Sequence, residues 1–119
     1  MLFGVVEDDD DVRRALTRLL RSWGHDVSLF ASAEDYEEAS LLADCLIVDM
    51  RLPGLNGLEL HERLLAGATP VPFVLISGDD RSDISGPRRP PTVMKPFDEE
   101  TLMAAISDAL VTTGRCECP

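Results

Sequence analysis

The sequence predicts a three-layer α/β sandwich built on a five-stranded parallel sheet, and three observations carry that prediction. Strand-like and helix-like patterns alternate along the 119 residues, as they do in βαβ units whose crossovers set helices on both faces of a sheet. Residues 2–6, 45–48 and 71–76 are nearly continuous apolar runs, the composition of strands covered on both faces. A polar residue then follows each run at the same place: Glu7 and Asp8 after Val5-Val6, Asp49 after Ile47-Val48, Ser77 after Leu75-Ile76, and Lys95 after Val93-Met94. In an open parallel sheet the strand C-termini share one edge, where ligands bind. Sequence-distant residues thereby become neighbours.

Taken in order, residues 2–6 form the first strand. Val12, Ala15, Leu16, Leu19, Leu20 and Trp23 then recur at helical spacing, one apolar stripe of an amphipathic helix. Gly24 stops it, as a glycine just past a helix C-terminus does. Residues 27–30 are a second short strand, and Ser32 with Glu34 and Asp35 opens a short, polar, surface-lying helix to about Leu42. Residues 45–49 end a wholly apolar run in an acid, which places them in the middle of the sheet.

The loop 50–56 leads into a helix over 55–66 carrying Leu58, Leu60, Leu64 and Leu65, closed by Gly67. Residues 71–76 are the fourth strand, with Pro72 at its start because proline cannot donate to the ladder. Residues 91–94 are the fifth. Asp98 begins the last helix, whose buried stripe is Leu102, Ala105, Ile106, Ala109 and Leu110 and whose dipole is complemented by Asp98, Glu99 and Glu100. Between the fourth and fifth strands the pattern breaks. Ile84 is the only aliphatic residue of 79–90, and Gly86-Pro87 and Pro90-Pro91 oppose a helix. At most one turn is predicted there, around 81–85, so four clear helices accompany five strands.

A chain of this length fits one domain with a real core and no disulfide staples. Residues 1–113 are assigned to it and 114–119 to a C-terminal tail. The formal charge of -11, from 22 acidic and 11 basic residues, argues against direct binding to nucleic acid or anionic lipid. No run approaches the roughly 20 apolar residues of a membrane span, and the N-terminus lacks a basic leader, so a cytoplasmic location is expected. Cys45 reads as a small hydrophobe within a strand. Cys116 and Cys118 offer two metal ligands, with His25 and His61 at no matching spacing.

The strand-end residues have the chemistry of phosphoryl transfer, which needs a nucleophile, a metal and further donors on the transferring group. Asp49 is the candidate nucleophile, since a carboxylate forms an acyl phosphate from a good donor. Glu7, Asp8 and Asp49 offer the oxygens that Mg²⁺ favours, and a metal relieves the repulsion that otherwise raises the pKa of clustered acids. Lys95 supplies a point charge and the Ser77 hydroxyl a hydrogen bond. A cis Lys95-Pro96 bond would aim the ammonium into the crevice. An acidic run at a helix start and an Asp before Pro53-Gly54 also have plain structural readings, and only their recurrence at four strand ends lifts them above those.

Val5-Val6-Glu7-Asp8-Asp9 with Val12-Arg13, Ile47-Val48-Asp49-Met50-Arg51-Leu52-Pro53-Gly54 with Gly57, Ile76-Ser77-Gly78, and Val93-Met94-Lys95-Pro96-Phe97 resemble the signature blocks of the receiver domain of two-component response regulators. The resemblance covers almost the whole chain. It implies the flavodoxin-like strand order 2-1-3-4-5, with the helix between strands 4 and 5 shortened or missing here. It implies a phosphorelay signalling domain, not an enzyme, in which Asp49 accepts a phosphoryl group from a sensor histidine kinase or a histidine phosphotransfer protein. Self-phosphorylation from small donors and autodephosphorylation are then expected. Mg²⁺ would be held by Glu7, Asp8, Asp49 and the Arg51 backbone carbonyl, and Lys95 and Ser77 would contact the phosphoryl group.

The resemblance further implies that Ser77 and the residue at position 92 form a two-state switch read by an effector or output domain. Here the sequence departs from the family: Thr92 replaces the usual aromatic, and the chain from Ser77 to Lys95 is shorter by about one helical turn. The usual face for effector contact or dimerisation is therefore altered, and residues 79–90 or the first helix are the expected output surface. The competing reading is a pseudo-receiver, an interaction module that keeps the fold but does not cycle phosphate. A metal-dependent phosphohydrolase would need an added acid or base, and neither histidine lies at a strand end.

Overall fold

In a computed structural model of the chain, the described residues are 1–39, 43–67, 71–78, 90–95 and 97–112. The first strand, β1 (Leu2–Val6), is followed by α1 (Asp10–Ser22), β2 (Asp26–Phe30), α2 (Ala33–Ala39), β3 (Cys45–Asp49), α3 (Gly57–Leu65), β4 (Phe73–Ser77), β5 (Thr92–Met94) and α4 (Glu99–Thr112). The five strands are parallel, in the order β2-β1-β3-β4-β5. This is the doubly wound arrangement of the sequence prediction, with β3 at its centre and all five of its residues buried.

Alternation along the strands divides the core between the two sheet faces. Phe3, Val5, Cys45, Ile47, Val74, Ile76 and Val93 pack on one side with Leu16 and Leu20 of α1 and Leu102, Ile106 and Ala109 of α4. Val6, Leu46, Val48, Phe73 and Leu75 pack on the other with Ala33 and Tyr36 of α2 and Leu60 of α3. Burial of each fully covered aliphatic side chain is worth about 1.5–3 kcal/mol, so two such layers suffice without a cross-link.

Local signals set the helix ends. Asp9 caps α1 by accepting from the amides of Asp11 and Val12, and Gly24, at φ +89°, follows its end as predicted. Ser32 Oγ accepts from the Asp35 amide at 3.1 Å. Asn56 and Glu59 form a reciprocal capping box, Asn56 Oδ1 taking the Glu59 N–H at 2.8 Å and Glu59 Oε1 taking the Asn56 N–H at 3.0 Å. This cap moves the start of α3 from the expected residue 55 to Gly57. Asp98 precedes α4 instead of beginning it, because its carboxylate accepts from the Thr101 amide at 2.8 Å. Pro72 stands just before β4, where its carbonyl takes the Leu46 N–H at 2.8 Å.

Two expected apolar stripes are corrected. Ala15 is exposed on α1, at the margin of a stripe defined by Leu16 and Leu20. On α3 the inward face is Gly57, Leu60 and His61, whereas Leu65 is 40% exposed. His61 lies against Phe73 with ring centroids 4.8 Å apart, and burial lowers its pKa from the ordinary histidine value. The α2 helix extends to Ala39, and its expected continuation to Leu42 lies outside the described residues. So do residues 79–89, where at most one turn was expected, Pro96 with the Lys95-Pro96 peptide, and the tail 114–119.

Gly57 holds α3 against the sheet. A Cβ there would stand 2.4 Å from the Asp49 backbone oxygen and 2.8 Å from Leu75 Cδ1, closer than unbonded atoms approach. Gly57→Ala should therefore force β3 and α3 apart and cost about 2 kcal/mol, as overpacking of a tight contact does. Urea unfolding of the variant and its parent checks this through a lower midpoint at unchanged slope. Equal midpoints would mean that the contact relaxes freely.

Candidate functional site

The parallel register brings the predicted residues to one edge. Glu7 directly follows β1, Asp49 ends β3, Ser77 ends β4 and Lys95 directly follows β5. Backbone bonds continue the sheet past these ends: Met50 N–H donates to Ile76 O at 2.7 Å, and Lys95 N–H to Ser77 O at 2.8 Å. The backbones that carry Asp49, Ser77 and Lys95 are thus fixed by the ladder.

Three acids meet there. One carboxylate oxygen from each of Glu7, Asp8 and Asp49 lies within 4.8 Å of the others. Asp8 is exposed, whereas Glu7 and Asp49 are buried. Lys95 Nζ stands 3.5 Å from Glu7 Oε1 and 3.7 Å from Asp49 Oδ2. Both distances exceed the 2.7–2.9 Å or so of a tight charge-assisted hydrogen bond, so the ammonium is shared between two carboxylates. Asp49 Oδ1 accepts from the Arg51 amide at 3.3 Å.

Glu7 is the most constrained member. Its Oε1 accepts from the Asp9 amide at 3.3 Å, while Oε2 is buried and, among the described residues, has no hydrogen-bond partner. Burial, reinforced by the Asp49 carboxylate and opposed by Lys95, raises its pKa to about 7. A buried orphan oxygen calls for a donor or a cation. An all-oxygen donor set with one exposed member fits Mg²⁺, a hard ion that retains waters. Glu7, Asp8 and Asp49 therefore suit that metal.

Ser77 is buried beside this cluster on β4. Thr92 is half-buried, and its hydroxyl donates to the Pro90 carbonyl at 3.1 Å. It lies opposite Leu75 in the β4–β5 ladder, two positions before the register that pairs Ser77 with Met94.

Sequence reasoning gave no role to two supporting side chains. Arg13 Nη1 donates to the Glu7 backbone carbonyl at 2.8 Å, and its other terminal nitrogen pairs with Asp10. This ties α1 to the end of β1. The signal was the Arg13-Arg14 pair just after the acidic run 7–11. Asn56, at the end of the 50–56 loop, is the second, and Asn56-x-x-Glu59 is a legible capping pattern that apolar spacing passes over.

The family profile "Response regulator receiver domain" matches residues 3–107. Nodulation protein W of Bradyrhizobium diazoefficiens is 41% identical over 76 residues, which cover 62% of this chain and 34% of that protein. Transcriptional regulatory protein FixJ of the same species is 32% identical over 112 residues, covering 89% of this chain and 55% of FixJ. Among solved structures, response regulator StyR superposes with a TM-score of 0.85 at 34% identity, over 95% of this chain and 60% of that one. The chain thus spans roughly a third to three fifths of the length of these relatives. With the match running from β1 into α4 and the acidic cluster at the expected sheet edge, the chain belongs to the response regulator receiver domain family.

Proposed function

We propose that this receiver domain accepts a phosphoryl group on Asp49 from a phosphohistidine of a sensor kinase or phosphotransfer protein. The observation that carries the reading is the buried Asp49 carboxylate within 4.8 Å of the Glu7 and Asp8 oxygens, with Lys95 Nζ 3.7 Å away. An Asp49 oxygen forms the new P–O bond as the donor's P–N bond breaks. The bonding pair leaves with the imidazole nitrogen, which takes a proton from water. Arg51 N–H steadies Asp49 Oδ1, and Oδ2, 3.7 Å from Lys95 Nζ, would attack.

Lys95 binds a phosphoryl oxygen and Ser77 donates a hydrogen bond to another. Glu7, Asp8, Asp49 and the Arg51 carbonyl would hold one Mg²⁺, whose charge neutralises the phosphoryl oxygens. The product is an acyl phosphate that persists until water attacks it, so the domain stores a signal and does not turn over a substrate. Conversion of that charge into a changed surface passes through Ser77 and the β5 strand bearing Thr92, toward an effector or output domain. The length of the relatives, which exceeds the receiver portion, supports such a partner.

Incubation with Mg²⁺ and acetyl phosphate should add one phosphoryl mass to the intact protein, and Asp49→Asn should abolish the adduct. Persistence of the adduct in that variant would place the acceptor elsewhere. Lack of any adduct in a protein that binds Mg²⁺, with rapid hydrolysis excluded, would favour an interaction module without phosphate cycling. Lys95→Ala should slow adduct formation about a hundredfold, the usual cost of removing one preorganised donor, while leaving Mg²⁺ binding in place.

The raised pKa of Glu7 gives a pH signature of the metal-free site. The folded state holds that proton more tightly than the unfolded chain, so the stabilisation is complete below about pH 4.5 and is lost as pH rises through about 7. In chelator, the melting temperature of Glu7→Gln should therefore gain on that of the parent as pH increases across this window. Saturating Mg²⁺ should narrow the difference by stabilising the parent's ionised carboxylate. A gap that does not change with pH would refute the assignment of the shift to Glu7.

A further inference from the structure

The loop after Asp49 is tied to a residue outside the acidic cluster. Glu34, in the first turn of α2, reaches across to this loop, and its Oε2 accepts the Leu55 N–H at 3.0 Å. Gly54 makes the approach, because its φ of +74° is the left-handed turn that presents the next amide to the carboxylate. The fit is close: a Cβ on Gly54 would lie 2.7 Å from the same oxygen. Three residues along α2, Glu37 pairs with Arg63 of α3 at 2.8 Å, so α2 grips the chain on both sides of the Asn56 cap.

Between Asp49 and Leu55 this segment is also held by Leu52, buried in the core layer of Val48 and Leu75, with Met50 and Leu55 packed against that layer. Its near end is fixed by Met50 N–H to Ile76 O and by Arg51 N–H to Asp49 Oδ1, and its far end by Gly57 N–H to Met50 O at 3.1 Å. Met50, Arg51 and Leu52 must close the span between these anchors. A shift of Leu55 bears on Arg51 through the buried Leu52 between them, and the Arg51 amide touches the Asp49 carboxylate. The Glu34 side chain is exposed, and the Leu55 hydrogen bond favours its ionised form, holding its pKa below the ordinary glutamate value. An exposed acid at a helix start would serve the helix dipole wherever it pointed. The Gly54 turn and the Leu55 bond give this one a target.

We propose that Glu34 is a positioning residue for the phosphoacceptor site, latching the 50–55 loop so that Arg51 and Asp49 present their oxygens to the cation. The inference rests on the reading of Asp49 and its neighbours as a Mg²⁺-assisted acceptor site. It adds a contact from an element that contributes no residue to the acidic cluster.

The test compares Glu34→Ala, which removes the acceptor, with Glu34→Gln, which keeps one at the same reach. Three quantities are read on the full chain: Mg²⁺ affinity by calorimetry, amide exchange at Leu55 and Arg51 in metal-free buffer, and the rate of adduct formation from acetyl phosphate. Glu34→Ala should weaken Mg²⁺ binding about tenfold, as loss of a contact behind metal ligands does, and speed exchange at both amides. Glu34→Gln should restore Mg²⁺ affinity to within about twofold of the parent, well inside that loss. A purely structural role would lower the melting temperature of Glu34→Ala and leave its Mg²⁺ affinity unchanged, which would overturn the proposal. So would faster exchange at Leu55 with none at Arg51, since the latch would then not reach the site. A parent that binds Mg²⁺ but takes no phosphoryl group, with affinity still lost in Glu34→Ala and restored in Glu34→Gln, would sink the acceptor reading and leave the latch standing. A parent that binds no Mg²⁺ would sink both.

Discussion

Parallel pairing of β1 with β3, β3 with β4 and β4 with β5 is the constraint on which the rest of this molecule depends. In an antiparallel sheet, Glu7, Asp49, Ser77 and Lys95 would alternate between two edges. In a parallel one, each strand delivers its terminal side chain to the same edge, and the connecting helices must cover both faces. The two-layer core is the consequence, and it keeps the edge rigid. Residues 45–49 and 73–77 are buried along their whole length, so neither Asp49 nor Ser77 can move without disturbing packing on both sides.

That rigidity holds an electrostatic conflict in place. The buried carboxylates of Glu7 and Asp49 share the Lys95 ammonium, exposed Asp8 adds a third acid within 4.8 Å, and Glu7 Oε2 has no partner among the described residues. The metal-free site relieves the conflict by retaining a proton on Glu7, as its pKa of about 7 indicates. A divalent cation relieves it differently, replacing the proton and leaving the acids ionised. Near neutrality Glu7 holds that proton only in part, so a cation that binds there would have little proton affinity to overcome. Packing offsets the strain of a site arranged for a ligand.

The acidic cluster was legible because its logic is one of position. A polar residue after an apolar run identifies a strand end, and parallel topology does the rest, so Glu7, Asp49, Ser77 and Lys95 could be assembled from sequence. Helix faces were less legible. The inward stripe of α3 begins at Gly57 and includes His61, a residue without a side chain and one that is polar, and neither registers in a count of apolar spacing. Ala15 holds a stripe position on α1 but is too small to reach the core from its margin. The Glu34–Leu55 bond joins residues 21 positions apart through an exposed side chain and a backbone amide, and no periodicity encodes such a contact. Asn56 and Glu59 were readable as a cap, yet a cap discloses its helix end and not the loop it braces.

The site's two sides are held to different tolerances, and this asymmetry suits the phosphoryl transfer proposed for it. The Asp49 side is fixed by a backbone bond, Met50 to Ile76 at 2.7 Å, and by side chain–backbone bonds, the Asn56–Glu59 box at 2.8 and 3.0 Å and Glu34 to Leu55 at 3.0 Å. Preorganisation there spares the reorganisation that a mobile nucleophile would require. The cationic side is looser. Lys95 is 28% exposed and stands 3.5–3.7 Å from both carboxylates, close enough to neutralise but not locked in either pair. A lysine committed to a tight ion pair would have to break it before meeting an incoming anion. One held at these distances could turn toward a phosphoryl oxygen at little cost, because in the proposed transfer that oxygen would supply the charge Asp49 gives up on forming its new bond.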